Sequence, residues 1–135
     1  MREIKFRAWC KRNQQMIDVM TIDFQDGALY GFGKSNDGFL SSSGKWSDYE
    51  IMQFTGLLDK NGKPVYEGDV IEGSVNGWTG TAFGKVKFVE GAFRAEIKNH
   101  YCGNKIVWDD FFGAVKVIGN VYEHPGLLNQ SEVKK

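Results

Sequence analysis

Apolar and polar residues alternate with a period of two along much of this chain. Ile4, Phe6 and Ala8 interleave with Glu3, Lys5 and Arg7, the mark of a strand with one buried face. Lys11 to Gln15 is a polar turn, and Met16 to Phe24 resumes the β pattern. Asp26-Gly27 then reverses the chain into Ala28 to Phe32, which predicts a meander. Between Gly33 and Lys45 the composition shifts to Gly, Ser, Asn and Asp around Phe39-Leu40. That stretch reads as a loop or weak hairpin and is the best candidate linker. WSDYEIMQFT, from Trp46 to Thr55, fits two periods. Trp46, Tyr49, Ile51 and Met52 can line a helical stripe, whereas Ile51, Gln53 and Thr55 set against Met52 and Phe54 alternate as a strand. With Asp48 placed to cap, the reading adopted is a turn of helix running into a strand.

The second half is punctuated by tight turns. Asn61-Gly62 suits a type I′ or similar turn with positive φ, and Glu67-Gly68-Asp69 a second turn leading into Val70-Ile71. GSVNGWTGTAFG, from Gly73 to Gly84, reads as a hairpin tip carrying Trp78. Lys85 to Phe88 and Phe93 to Lys98 alternate cleanly across Glu90-Gly91, the strongest hairpin signal in the chain. Ala114 to Tyr122 predicts a last strand, with Gly119 marking a bulge or a close approach of backbone. From Phe54 onward, short strands with turns every 8–12 residues fit a small closed or half-closed barrel.

Composition narrows the picture. The 135 residues are 41% hydrophobic and 14% aromatic, which places the chain among globular proteins, and 17 Gly against 2 Pro favours many short strands. Net charge is zero, which counts against a protein that coats nucleic acid through an excess of Lys and Arg. The charge is unevenly placed: residues 1–15 hold five basic residues and one acid, residues 16–72 ten acids and four bases. Ordinary solvated faces explain this; the sharper alternative is a basic edge meeting an acidic face of a neighbouring copy. MREIKFRAW lacks the apolar core of a signal peptide, no run approaches a membrane span, and Cys10 and Cys102 form no CxxC. A soluble, cytoplasmic protein with reduced thiols is expected.

Three blocks together resemble the YopX family of phage and prophage proteins: MREIKFRAW followed by Met16; MQFTGLLDKNGKPVYEGDVI, from Met52 to Ile71, with GKVKFVEGAF after it; and VIGNVYEHPGLL near the C-terminus. Cys10, where the family more often has an acid, and Pro125-Gly126, in place of a more usual Pro-Glu, are small departures. The resemblance implies a mainly β protein whose C-terminal part is similar to an SH3-type barrel. It also implies a home among phage accessory genes, and no catalytic residues to carry over. The expected organisation is an N-terminal β-rich subdomain over 1–50, an SH3-like small barrel over 51–128 with little helix, and a flexible tail over 129–135.

Candidate chemistry is sparse. His100, Cys102 and Asp109-Asp110 match no closed zinc spacing, so a polar loop over a buried Cys is the better reading, and no metal or cofactor is expected. A Cys102–His pair lacks an orienting third group. Asp109-Asp110 suits a helical cap before Phe111-Phe112, His124 a polar turn, and Asp69 an acceptor of backbone hydrogen bonds in its own turn. GSVNGWTG has neither the GK[ST] ending of a phosphate loop nor a GxGxxG opening a helix. Trp9 beside Arg7, Lys11 and Arg12, and Phe88 beside Lys85 and Lys87, would suit stacking and phosphate contacts, although aromatics at strand period are more often core. Trp46 and Trp78 are candidate interface anchors, set against the reading in which each folds back onto its own domain. The expectation is therefore a non-catalytic protein-interaction module, homo-oligomeric or binding a phage or host protein, with a nucleic-acid-binding small barrel as the alternative.

Overall fold

A computed structural model describes residues 3–35, 38–73, 82–98, 105–108 and 115–127. The chain divides into two compact units, Met1–Phe54 and Thr55–Lys135. Expectations that fall on Trp78, His100, Cys102, Asp109-Asp110, Phe111-Phe112 and the 129–135 tail lie outside the described residues.

The first unit is an antiparallel meander. Strands β1 (Phe6–Cys10), β2 (Gln15–Asp23), β3 (Ala28–Ser35) and β4 (Gly38–Lys45) are followed by one 3-10 turn, Trp46–Asp48, and then by β5 (Tyr49–Leu58). Their order in the sheet is β4-β3-β2-β1-β5. The period-two pattern holds from Phe6 onward, whereas Ile4 precedes β1 and is 61% exposed. Ala8, Cys10, Ile17, Leu29 and Tyr49 form the buried cluster, with Val19, Trp46 and Ile51 packed on it. The helical turn running into a strand at Trp46 is also as expected, but Asp48 lies inside the turn and no side chain caps it.

Gly33 to Lys45 is the hairpin of the two alternatives, and only the linker reading is corrected: β3 and β4 pair without a break from Ala28↔Lys45 to Ser35↔Gly38. Small residues suit this part of the sheet. A side chain on Gly31 would run into the Asp18 carbonyl of β2, and one on Gly44 would meet Arg12, Tyr49 and Asp48. Low β propensity is overridden where close packing needs small residues.

In the second unit β5 continues past Phe54 and is flanked by β6 (Pro64–Tyr66). Strands β7 (Asp69–Gly73), β8 (Ala82–Val89), β9 (Ala92–Lys98), β10 (Lys105–Trp108) and β11 (Lys116–Asn120) form an antiparallel sheet in the order β10-β9-β8-β7-β11. Val65, Val70, Ile71, Val86, Ala95, Val115 and Val117 are buried, mostly β-branched residues that pack well on a pleated surface. The β8–β9 hairpin turns at Glu90-Gly91, both with positive φ (52° and 82°), as a two-residue primed turn requires.

The turn after β5 differs in detail from the expectation. Among its residues only Gly62 has positive φ (81°), and its N–H donates to the Asp59 carbonyl at 3.0 Å, so Asn61 is spared the left-handed region that type I′ would demand. Gly119 is both a bulge and a close approach. The register against β7 slips between Val117 and Gly119, and a Cβ there would lie 2.6 Å from Leu127 Cδ1 and 2.7 Å from His124 Nδ1.

Candidate interaction surface

Recognition needs groups that the fold itself has not used. The basic residues of the β1–β2 turn are largely used. Lys11 Nζ lies 3.1 Å from Glu50 Oε1 and donates to the Ser47 carbonyl, while the Lys11 N–H donates to the Asp48 carbonyl at 2.9 Å. Arg12 donates through Nη2 to the Ser43 carbonyl at 3.2 Å and has its Nε 3.9 Å from Asp48 Oδ2. Tyr49 first, then Cys10 and Asp48, hold the guanidinium more firmly protonated than usual. The two cations thus fasten the β1–β2 turn to the segment that joins β4 to β5.

Cys10 ends β1 beneath this turn and is wholly buried. Burial pushes its thiol up, but the backbone N–H groups of Asn13 and Arg12 and the Arg12 guanidinium outweigh it and leave the thiol below its ordinary value. Those donors make Cys10 a cap for the turn.

Trp46 is also committed to its own unit. Its indole Nε1–H donates to the Ala28 carbonyl at 3.0 Å, its backbone N–H to the Gly27 carbonyl at 2.9 Å, and its ring packs on the core cluster. Phe24, in the β2–β3 turn, meets the indole edge-to-face at 5.5 Å and is itself 78% exposed. Pattern reading missed this hairpin as a surface. Met20 sits unpaired at a bulge of β2 and is 64% exposed, and Tyr30 of β3 stands edge-to-face with Phe32 at 5.3 Å. Tyr30 also lines a shallow depression of about 380 Å³, together with Thr21 and Asp23 of β2, Ala28 and Leu29 of β3 and Ser43 to Lys45 of β4. The available signal was the break in alternation at Val19-Met20-Thr21, where a bulge turns a side chain out.

In the second unit the aromatic-and-basic cluster at Phe88, which is 54% exposed, is paired in part. Phe88 and Phe93 oppose each other across β8–β9 with ring centres 5.0 Å apart, and Lys87 bridges to Glu96 at 3.3 Å. Asp69 accepts from the Tyr66 N–H at 2.8 Å, as its turn predicts. His124 takes the Asn120 N–H on Nδ1 at 3.3 Å. Among the described residues no three His, Cys, Asp or Glu gather as a metal site, and no helix is long and apolar enough to cross a membrane.

The family model for the YopX protein matches residues 5–129, which span both units. This chain belongs to the YopX family. Two solved structures show the same fold as this YopX-family protein. Protein EF1440 from Enterococcus faecalis is similar at 25% identity and a TM-score of 0.62, over 95% of this chain and 99% of that one. Protein YopX from Bacillus subtilis is similar at 20% identity and a TM-score of 0.60, with the same two shares covered. No curated protein matches the chain in sequence.

Proposed function

We propose that this YopX-family protein is a non-catalytic accessory protein of a phage or prophage, working in the host cytoplasm as a protein-interaction module, with a small SH3-like barrel in its second unit and with self-association as one mode of binding. The carrying observation is the β2–β3 hairpin. It sets Met20, Phe24 and Tyr30 in solvent, with Tyr30 lining a shallow depression, while Lys11, Arg12 and Lys87 are neutralised by acids of their own chain. Exposed aromatics with paired charges suit a protein partner, since phosphate recognition draws on cations free to displace counterions.

The buried polar groups support the non-catalytic reading. Thr55 bonds to the Val65 carbonyl, Asp59 to three backbone N–H groups, Asp69 to Tyr66 N–H, and Asn120 to the Tyr122 and Glu123 N–H groups. Each secures a turn, where an active site would aim such groups into a shared pocket. The test is fluorescence anisotropy with labelled single- and double-stranded DNA and RNA. Weak binding that vanishes as salt rises is expected; affinity tighter than about 1 μM that persists near 0.15 M salt would overturn the protein-interaction reading.

A further inference from the structure

The described edges of the two sheets differ in length. Strand β6 has three residues, β10 four and β11 five, whereas β4 has eight, from Gly38 to Lys45. Soluble proteins guard long edges with proline, charge, a bulge or a covering segment. β4 contains no proline, its one charge is Lys45 at the end, and its register against β3 is continuous.

The direction of its backbone groups follows from the pairing. Two residues separate Ser35 from Gly38, which makes that pair the hydrogen-bonded closing pair of the hairpin. Alternation along an antiparallel ladder then turns Leu40 and Ser42 toward β3 and turns Phe39, Ser41 and Ser43 outward. The Arg12 guanidinium on the Ser43 carbonyl agrees with this and covers that end. Among the described residues no strand pairs with the outward N–H and C=O groups of Phe39 and Ser41, and Gly38 and Ser41 are exposed, while the Ser42 hydroxyl meets the Tyr49 hydroxyl at 2.6 Å.

We propose that this open edge pairs with the same edge of a second copy, antiparallel about a two-fold axis at Leu40, so that Phe39 of each copy exchanges backbone hydrogen bonds with Ser41 of the other. The inference rests on reading the chain as a binding module and names the surface of one of its interactions. Self-pairing fits this edge better than a foreign peptide does. Recognition of an added peptide strand draws its selectivity from pockets for alternate side chains, and Ser41-Ser42-Ser43-Gly44 builds none. A two-fold pairing needs none either, because each edge is its own complement. The charges permit it, since Lys45 of each copy lies at the far end from Lys45 of the other. An edge of five residues buries far less than the roughly 1,200 Å² of a stable interface, so the association is of the weak, transient class.

The experiment uses the full chain, by sedimentation equilibrium from about 5 to 500 μM and by amide exchange at both limits, a range that brackets weak self-association. The Ser41 amide is expected to gain protection as concentration rises, while the inward Ser42 amide is protected throughout. Ser41→Pro removes the outward donor and should weaken dimerisation at least about tenfold while leaving the β3–β4 ladder formed. Ser41→Lys and Ser41→Glu place like charges across the axis, so each alone should associate less than wild type, and an equimolar mixture of the two should recover it. That recovery separates interface loss from misfolding. Self-association that none of these variants alters would overturn the edge pairing and leave the binding reading standing. A monomer throughout the range would overturn the edge pairing and move the binding reading to a different partner.

Discussion

Asp59 offers the sharpest quantitative prediction. It is 6% exposed at the end of β5 and accepts three backbone hydrogen bonds. Asn61 and Lys63 donate to Oδ1 at 2.8 and 2.9 Å, and Val117, 58 residues further along, donates to Oδ2 at 2.9 Å. The first two close the turn. The third fixes β11, and the Lys60 N–H adds a bond to the Val115 carbonyl at 2.9 Å. A hydrogen bond to a charged acceptor contributes roughly 1.5–3 kcal/mol, and a buried donor left unmade costs about 1–3 kcal/mol. In Asp59→Ala the two turn donors can reach water but the Val117 N–H cannot, so the second unit should lose about 3 kcal/mol. Asp59→Asn keeps one acceptor and sets an amide NH₂ against the remaining donors, for a loss of about 2 kcal/mol.

Burial raises the Asp59 pKa, but the N–H groups of Val117, Lys63 and Asn61, with the Lys63 charge, lower it further and leave it below the ordinary 3.8. A carboxyl depressed in the folded state stabilises fully above its unfolded pKa and loses that contribution as pH falls through its folded pKa. The gap between wild type and Asp59→Asn should therefore be constant from neutral pH down to about 5 and shrink below about 4. Urea unfolding at several pH values measures the gap, and exchange of the Val117 amide locates it. An Asp59→Asn protein within about 0.5 kcal/mol of wild type at neutral pH, or a gap that persists unchanged in acid, would refute the reasoning.

Other substitutions test other joints. Gly31→Ala drives a Cβ into the Asp18 carbonyl, which is backbone and cannot swing aside, so urea unfolding should show a loss of about 3 kcal/mol from the first unit. Gly119→Ala meets the ends of the Leu127 and His124 side chains, which can shift, and should cost only about 1–2 kcal/mol in the same assay. Trp46→Phe removes the bond to the Ala28 carbonyl and part of the contact with Phe24, for about 1–2 kcal/mol of first-unit stability by thermal unfolding; no loss would return Trp46 to the role of interface anchor. Cys10 should resist alkylation in the native protein despite its lowered pKa, since the thiol is buried, and react only on unfolding. Peptide mapping that found Cys10 labelled at the rate of a free thiol would reverse this.

The legible parts of the chain were those in which side-chain pattern and backbone need agree. Alternation placed β1, β2, β8 and β9, and Glu90-Gly91 and Gly119 announced a hairpin and a bulge because few other residues suit those conformations. β4 was legible only as one of two alternatives, a loop or a weak hairpin, for the opposite reason. Its residues are small because the sheet presses close around them, and a sequence poor in apolar side chains imitates a loop. Asp59 was hidden too: its key donor, Val117, is distant in sequence, and no local pattern records a bond between a turn and a strand 58 residues away. The candidate residues Lys11, Arg12 and Trp46 stood out by type, yet type says nothing of partners, and all three are engaged within the first unit.

A polar group can hold a fold together or meet something outside it, and in this chain most of the conspicuous ones do the former. The recognition capacity that remains in the first unit gathers on three neighbouring strands. The β2–β3 hairpin exposes Met20, Phe24 and Tyr30, the last lining the depression, and β4, next in the sheet, carries the edge. Aromatic area gives affinity without charge, and an open edge gives direction without pockets. Having both on adjacent strands lets a single approach use both, while Lys11 ties the β1–β2 turn to the segment before β5, and Arg12 and Tyr49 brace the Ser42–Ser43 end of β4. Binding and stability should therefore separate by strand. Substitutions at Met20 and Ser41 should change association and leave first-unit unfolding within about 0.5 kcal/mol, the range of surface changes, whereas Ala8, Cys10 and Ile17 should move unfolding first.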